Sequence, residues 1–465
     1  MDKFSKFFII LFISISFILF SYTLYRDFIF WERSSSIYYY KFYLTALAIF
    51  LFSLISFFIS KVIKIYIFII FFSVVFSLYA YEIYLGSFDG MTDKIKNYKE
   101  KTGKNFDLRD RKEVFEELNK NNEKVVVPIP PQVHSKNIMG EELSSSLTSS
   151  NKNLFPLSGI SNSLTLDCNE NGYYTKYISD RHGFNNKNSE WDKKNIDYLL
   201  VGDSFTHGSC VNPENNIASN LIKLKNNKNG VINLGYKGND TLIEYATLKE
   251  YLPYIKAKYI LWFYFEGNDL DGLTKELKDK TLIKYLNDND FSQNLFFRQE
   301  EIDRKNIKIM EIEAKHFSRT QVLEKEPRFL YLIKLIKLYN LRKILFSPYN
   351  FLQEQNGESI DSFEFVLGEA NKLALKHESQ LYFVYLPSYL RYKQLNYDNH
   401  YSKILRIVKG LKIPIIDIHK SLFNKHNSPL SLFPFKQRGH YNVEGYNLVS
   451  KTIFNEIKKK NLTKN

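Results

Sequence analysis

"DYLLVGDSFTHGSCV", residues 197–211, carries a continuous apolar run directly into Gly202, Asp203 and Ser204. A short run of this kind, closed by a glycine, reads as a strand buried on both faces, and it leaves Ser204 where the strand stops. Four more runs share the character: "GVINL" (230–234), "KYILWFYF" (258–265), "QLYFVYL" (380–386) and "IPIIDI" (413–418). Amphipathic segments alternate with them from Leu154 onward, which predicts an α/β domain with a parallel sheet between layers of helices.

In an open parallel sheet, ligands bind outside the carboxyl ends of the strands. Ser204 stands at such an end. So do Gly235 and Gly238 in "NLGYKGNDT" (233–241), and Gly267, Asn268 and Asp269 in "FEGNDL" (265–270). His440, in "RGHYNVEGYNLVS" (438–450), follows the last strand. An alcohol is a poor nucleophile at neutral pH, so Ser204 needs a base to take its proton, and His440 is the candidate.

These blocks, in this order, resemble the SGNH (GDSL-type) hydrolase family, whose signature blocks supply a serine, a glycine, an asparagine and a histidine. The resemblance covers about residues 155–455 and implies a flavodoxin-like parallel sheet. It also implies that Ser204 is the nucleophile and that His440 acts as general base and then as general acid. The backbone N–H groups of Ser204 and Gly238 and the side-chain amide of Asn268 would form the oxyanion hole, donors aimed where charge develops. Gly238 fits better than Gly235 because the glycine of that block lies a few residues beyond the strand. "YTKYISDRHGFNN" (174–186) is similar to a segment found in the membrane-tethered, extracytoplasmic branch. An α/β-hydrolase would need a G-x-S-x-G elbow, which the residues around Ser204 do not supply.

The chain departs from the pattern next to His440. Members commonly carry an Asp two or three residues upstream, and here those places hold Arg438 and Gln437. Three readings stay open: a Ser-His dyad, a carboxylate from elsewhere with Asp417 as one distant option, or a non-catalytic binding domain.

Plainer roles stand beside the catalytic ones. Gly235 serves equally as a turn after the strand, and Asn268 as a loop former. Asp203 is expected to brace its turn by bonding nearby N–H groups. His207 is a candidate for the pocket wall, but packing and surface roles are as good. The histidines show no metal-ligand spacing, and neither H-E-x-x-H nor C-x-x-C occurs, so no metal and no cofactor are expected. Cys168 and Cys210 flank the serine block. A disulfide would tie "LDCNENG" (166–172) to the Ser204 loop, the alternative being two separate buried thiols.

The first fifth of the chain is different material. Residues 7–25, 42–60 and 65–85 are apolar, the last carrying only Glu82, and each is long enough to cross about 30 Å of hydrocarbon as a helix. No A-x-A-like site follows the first, so a cleaved signal peptide is disfavoured. Lys3 and Lys6 before the first span, with Lys61 and Lys64 between the second and third, predict a cytoplasmic N-terminus despite Arg26, Arg33 and Lys41 in the opposite loop. Three crossings then place everything after residue 86 outside the cytoplasm.

Residues 87–153 are polar, include "VVVPIPPQ" and "SSSLTSSNKN", and are expected to form a linker without a core. The domain 154–465 carries an insertion at about 272–360 that reads as a helical cap or side wall. The net charge of +14 is scattered, with no compact basic helix or aromatic-basic module, which argues for solvated surface rather than nucleic-acid binding. A weak attraction to anionic lipid or acidic glycan fits the same charge. The expectation is a membrane-anchored, extracytoplasmic serine esterase that removes O-acyl groups, such as O-acetyl, from cell-envelope glycans. The alternatives are an O-acyltransferase to a glycan hydroxyl and an inactive carbohydrate-binding scaffold, and the oligomeric state stays open.

Overall fold

The computed structural model describes residues 2–30, 36–87, 90–121, 123–135, 154–226, 229–270, 272–320, 332–333, 335–342, 357–393 and 400–462. The chain divides into two compact units, Met1–Asp89 with Glu326–Phe351, and Gly90–Lys325 with Leu352–Asn465.

In the second unit, a two-stranded antiparallel ribbon, β1 (Leu164–Leu166) and β2 (Lys176–Ile178), precedes the main sheet. The main sheet holds β3 (Ile196–Val201), β4 (Gly230–Asn233), β5 (Ala257–Phe265), β6 (Gln380–Leu386) and β7 (Ile415–Asp417). All pairs are parallel, in the order β4-β3-β5-β6-β7. The second strand of the sheet lies outside the first, and the rest follow on the other side. This is the flavodoxin-like order, whose direction reverses between β3 and β5.

Side chains alternate across these strands because successive Cβ atoms point to opposite faces. Leu199 and Val201 of β3, Ile260, Trp262 and Tyr264 of β5, and Phe383 and Tyr385 of β6 share one core with the helices Thr241–Tyr251, Gly357–Lys376 and Tyr401–Gly410. Tyr198, Leu200, Leu261, Phe263, Tyr382 and Val384 share the other with Ile217–Leu224 and Val443–Leu462. Covering both faces explains why the strands read as unbroken apolar runs.

Residues 90–135, expected as part of a linker, are packed onto this unit. Helices occupy Gly90–Thr102 and Arg111–Lys120, the second opened by an Asp110–Glu113 capping box. Val114 and Val125 bury against Leu166, and Val126 bridges Thr165 beside β1. Ile129 and Val133 bury against Ile309. The segment has no core of its own, but its spaced apolar residues complete small cores that other elements begin. The "SSSLTSSNKN" stretch lies outside the described residues.

The insertion is also not one body. Its part up to Thr320 belongs to the second unit, where the Glu276 carboxyl group accepts from the N–H groups of Leu242 (2.8 Å) and Ile243 (3.3 Å) at the start of the helix after Gly238. The described residues between 332 and 342 group with the N-terminal unit instead. Among the described residues of that unit, three helices are long and apolar enough to cross a membrane, Lys3–Phe28, Tyr39–Phe58 and Lys61–Leu85. Phe8, Ile9 and Phe12 form their small shared core, and Ser16 Oγ donates to Ala46 O at 2.7 Å between the first two.

Candidate active site

Ser204 opens a one-turn helix, Ser204–His207, entered directly from β3. The Asp203 side chain caps this turn, accepting from the Phe205 N–H at 2.8 Å, which is the bracing role its position suggested. From β4, Asn233 Nδ2 donates to Thr206 O at 2.7 Å. Gly235 lets the end of β4 press against the same turn, since a Cβ there would stand 2.6 Å from Thr206 Cβ.

His440 lies between β7 and the final helix. Its Nε2 is 2.8 Å from Ser204 Oγ. Its Nδ1 is 3.0 Å from Glu170 Oε1, and its backbone N–H donates to Glu170 Oε2 at 2.7 Å. A carboxylate at Nδ1 fixes the tautomer: Nδ1 carries the proton and Nε2 is left to accept from the serine hydroxyl. Gly439 makes room for this clasp, because a Cβ there would meet Glu170 Oε2 at 2.6 Å. Phe205, stacked on Phe265 at 3.9 Å between ring centres, also packs against the His440 ring at 4.8 Å.

The carboxylate beside the histidine is therefore Glu170. Asp417, the distant option, is engaged elsewhere: it accepts from the Tyr401 hydroxyl and caps the Lys420 N–H at 2.9 Å. Burial pushes the Glu170 carboxyl group up, but its hydrogen bonds to His440, the imidazole's charge and nearby Lys237 outweigh this and hold it below the ordinary glutamate value. Asp203, also close to Ser204, differs. Burial raises it to about 6, its oxygen is 3.5 Å from Ser204 Oγ, and at that distance it does not compete with His440 for the hydroxyl.

Glu170 reaches this place from the loop between β1 and β2, which is joined to the serine loop by a Cys168–Cys210 disulfide. Asp167 Oδ2 accepts from the Cys210 N–H at 3.0 Å, and Asn171 Nδ2 donates to Cys210 O at 2.8 Å, so the link has three rungs. Lys237, beside Gly238, forms an ion pair with Asp167. Ligand-type atoms of Glu170, Cys210 and His440 lie within 4.8 Å of one another. The Cys210 sulfur is committed to the disulfide and the two other groups to each other, a donor set that does not suit a metal.

Gly238 adopts a φ of 74°, in a turn covered by Pro130 and Gln132, and a Cβ there would lie 2.9 Å from Pro130 Cβ. Gln132 Nε2 donates to Asp240 Oδ2 at 2.8 Å, so the supposed linker roofs the glycine block. The Asn268 side chain lies within hydrogen-bonding reach of Asp203, and its Oδ1 is buried with no partner among the described residues. His207 is not a pocket residue. It is fully buried between Tyr177 and Tyr236, and burial lowers its pKa to about 4.

The sequence held one signal for Glu170. If Cys168 pairs with Cys210, a carboxylate two residues from Cys168 must come close to Ser204.

No protein-family model matches the chain, and no curated protein matches it significantly. Among solved structures it is similar to an acetyl xylan esterase, AlAXEase, at 13% identity and TM-score 0.33, over 56% of this chain and 100% of the other. It is similar to the lipase/acylhydrolase from Enterococcus faecalis at 13% identity and TM-score 0.32, over 57% and 96%. A protein from Desulfitobacterium hafniense DCB-2, assigned to the lipolytic G-D-S-L family, aligns at 14% identity and TM-score 0.31, over 56% and 97%. Likenesses this distant carry no argument about chemistry, which rests on the side chains above.

Proposed function

We propose that the chain is a serine esterase of the SGNH type, with Ser204, His440 and Glu170 as its triad. The observation that carries this reading is the unbroken relay from Glu170 Oε1 through the imidazole to Ser204 Oγ, at 3.0 and 2.8 Å. Ser204 Oγ attacks the ester carbonyl carbon while His440 Nε2 takes its proton. The tetrahedral oxyanion is met by the N–H groups of Ser204 and Gly238 and by the Asn268 amide. Collapse expels the alcohol, which receives the proton from Nε2. Water, deprotonated by the same nitrogen, then attacks the acyl-enzyme, releases the acid and restores the serine. Glu170 keeps the imidazole in its tautomer and stabilises the cation that forms twice per cycle.

The three apolar helices are read as transmembrane spans with the N-terminus cytoplasmic, and the catalytic unit as extracytoplasmic. A disulfide beside the active site fits an oxidising compartment. That compartment favours an O-acylated cell-envelope glycan as substrate, an O-acetyl group being the simplest case.

A fluorophosphonate probe tests the nucleophile. Covalent labelling of the wild type, lost in Ser204→Ala, is the expected result, with release of acetate from a small acetyl ester following the same pattern. Wild-type turnover in Ser204→Ala would remove Ser204 as the nucleophile, and neither labelling nor turnover in the wild type would leave the scaffold. Acyl delivery to an added glycan in preference to water would make the chain a transferase.

A further inference from the structure

Glu82 is the one acidic residue in the third apolar helix, and it is 1% exposed. An ionisable group there needs partners, because an unpaired one is costly in an apolar setting. Its partners come from the β5–β6 insertion. Glu82 Oε2 accepts from the Leu341 N–H at 2.7 Å, and Oε1 from the Asn340 N–H at 2.8 Å and Asn340 Nδ2 at 3.1 Å. One turn earlier on the same helix, the Tyr79 hydroxyl donates to Ile336 O at 3.1 Å. Two short helical pieces on either side of Leu338 (φ 48°) are thus fastened to the end of an apolar helix within a single unit.

Their outward side chains are of two kinds. Leu332, Ile336 and Tyr339 are 50%, 67% and 48% exposed, an apolar display that water does not favour. Lys337 and Arg342 are exposed beside them, and residues 330–346 contain no acidic residue. Apolar side chains interleaved with cations suit the boundary between headgroups and acyl chains. On the third helix, about one turn before Tyr79, Phe76 is 75% exposed.

We infer that residues 332–342 are a fourth membrane-contacting element, clamped to the third span by Glu82 and resting in an anionic lipid interface. The insertion therefore fastens the catalytic chain to the membrane at a second place, separate from the N-terminal connection. This goes beyond the esterase reading and rests only on the reading of the three helices as spans.

The test uses the full chain, whose two cysteines are both in the disulfide, so an added cysteine is the sole free thiol. Ile336→Cys, Phe76→Cys and Phe365→Cys variants carry a bimane label in vesicles of phosphatidylcholine and phosphatidylglycerol containing lipid spin-labelled either at the headgroup, to reach Ile336, or along the acyl chain, to reach Phe76. Phe365 is an exposed control on the catalytic unit. Quenching of the Ile336 and Phe76 labels, with the Phe365 label spared, is the expected result. Glu82→Ala then removes the Ile336 quenching and keeps that of Phe76, and replacing phosphatidylglycerol by phosphatidylcholine weakens it. Quenching at Phe76 without quenching at Ile336 overturns the inference while the spans stand. An Ile336 label shielded from both lipid and aqueous quenchers means a protein cover, and also overturns it. No quenching at Phe76 removes the spans and the inference together. Quenching at Ile336 unaffected by Glu82→Ala refutes the clamp.

Discussion

Ser204 is held by the end of its own strand and the strand beside it, whereas His440 is held by a carboxylate 270 residues away. The proposed nucleophile's side of the site is the end of a central strand. Val201 is fully buried, Asp203 caps the turn, and Gly235 and Asn233 of the adjacent strand press on it. The base's side is made of loops. His440 gets its orientation from Glu170, and Glu170 gets its place from the disulfide and two hydrogen bonds at Cys210. One side is fixed by the sheet, which the whole domain stabilises, and the other by a few long-range links. Damage to those links should lower turnover before it disturbs the fold.

The largest effect breaks the junction of the two sides. Ser204→Ala and His440→Ala should each lower kcat for a small acetyl ester by roughly 10⁴-fold or more, and the double variant should be little worse than either. Additive losses would mean that the two residues do not act as a unit. Circular dichroism should be unchanged, because Ser204 and His440 lie outside both cores.

Next comes the carboxylate. Glu170→Gln keeps size and hydrogen-bonding atoms but not the charge that stabilises the imidazolium, so kcat should fall about 10²–10⁴-fold with KM little changed. The same variant carries a stability signature. Glu170 is held below the ordinary glutamate value of 4.5, so the folded state gains from its ionised form. That gain is present above 4.5 and is lost as pH falls through the lower folded-state value. The thermal midpoint of wild type should therefore exceed that of Glu170→Gln near neutrality, and the gap should close in strong acid. A gap that widens on acidification would contradict the charge pairing.

The disulfide tests how far the base's side depends on its staple. Replacing Cys168 and Cys210 by alanine opens a loop with a sequence separation of 42 residues. Chain-entropy arguments give a loss of about 4 kcal/mol for a loop of that size. Turnover should also fall, about tenfold, because Glu170 loses its anchor while Ser204 keeps its strand. Fluorophosphonate labelling at Ser204 should persist more slowly. Destabilisation with undiminished kcat would show that Asp167, Asn171 and the Glu170 clasp position the carboxylate unaided.

How much was legible follows the same division. β3 to β6 were readable because both faces of each are covered, which turns strands into unbroken apolar runs, and Ser204 came with the first; the edge strand β7 is short and only partly buried. The N-terminal helices were legible because they are apolar on all sides over a length sufficient to cross a membrane. Glu170 was not, because nothing local marks a glutamate in "CNENG" as different from other surface acids. Its role exists only after the chain folds back on Cys210. Residues 90–135 were misread for a related reason: Val114, Val125, Ile129 and Val133 are too sparse to make a core, yet each fills a place in one begun elsewhere. Composition reports what a segment can bury alone, not what it can complete.

The smallest expected effect concerns the position where the sequence looked deficient. With Asp absent three residues before the histidine, Gln437→Asp is the substitution that would restore the usual pattern. Nδ1 already has its acceptor in Glu170, and a second carboxylate could only share that proton at the cost of like-charge repulsion. Gln437→Asp in the wild type should thus leave kcat within about twofold. In the Glu170→Gln background Nδ1 lacks a charged partner, and there the same substitution should recover part of the lost activity and shift the acid limb of the pH–rate profile back toward wild type. Residue 437 has extended backbone with its N–H bonded to Pro434 O at 2.9 Å, an anchored place from which to reach the ring. A substantial rate increase in the wild-type background would mean that Glu170 does not serve as the acid and that the base side of the site is still incomplete.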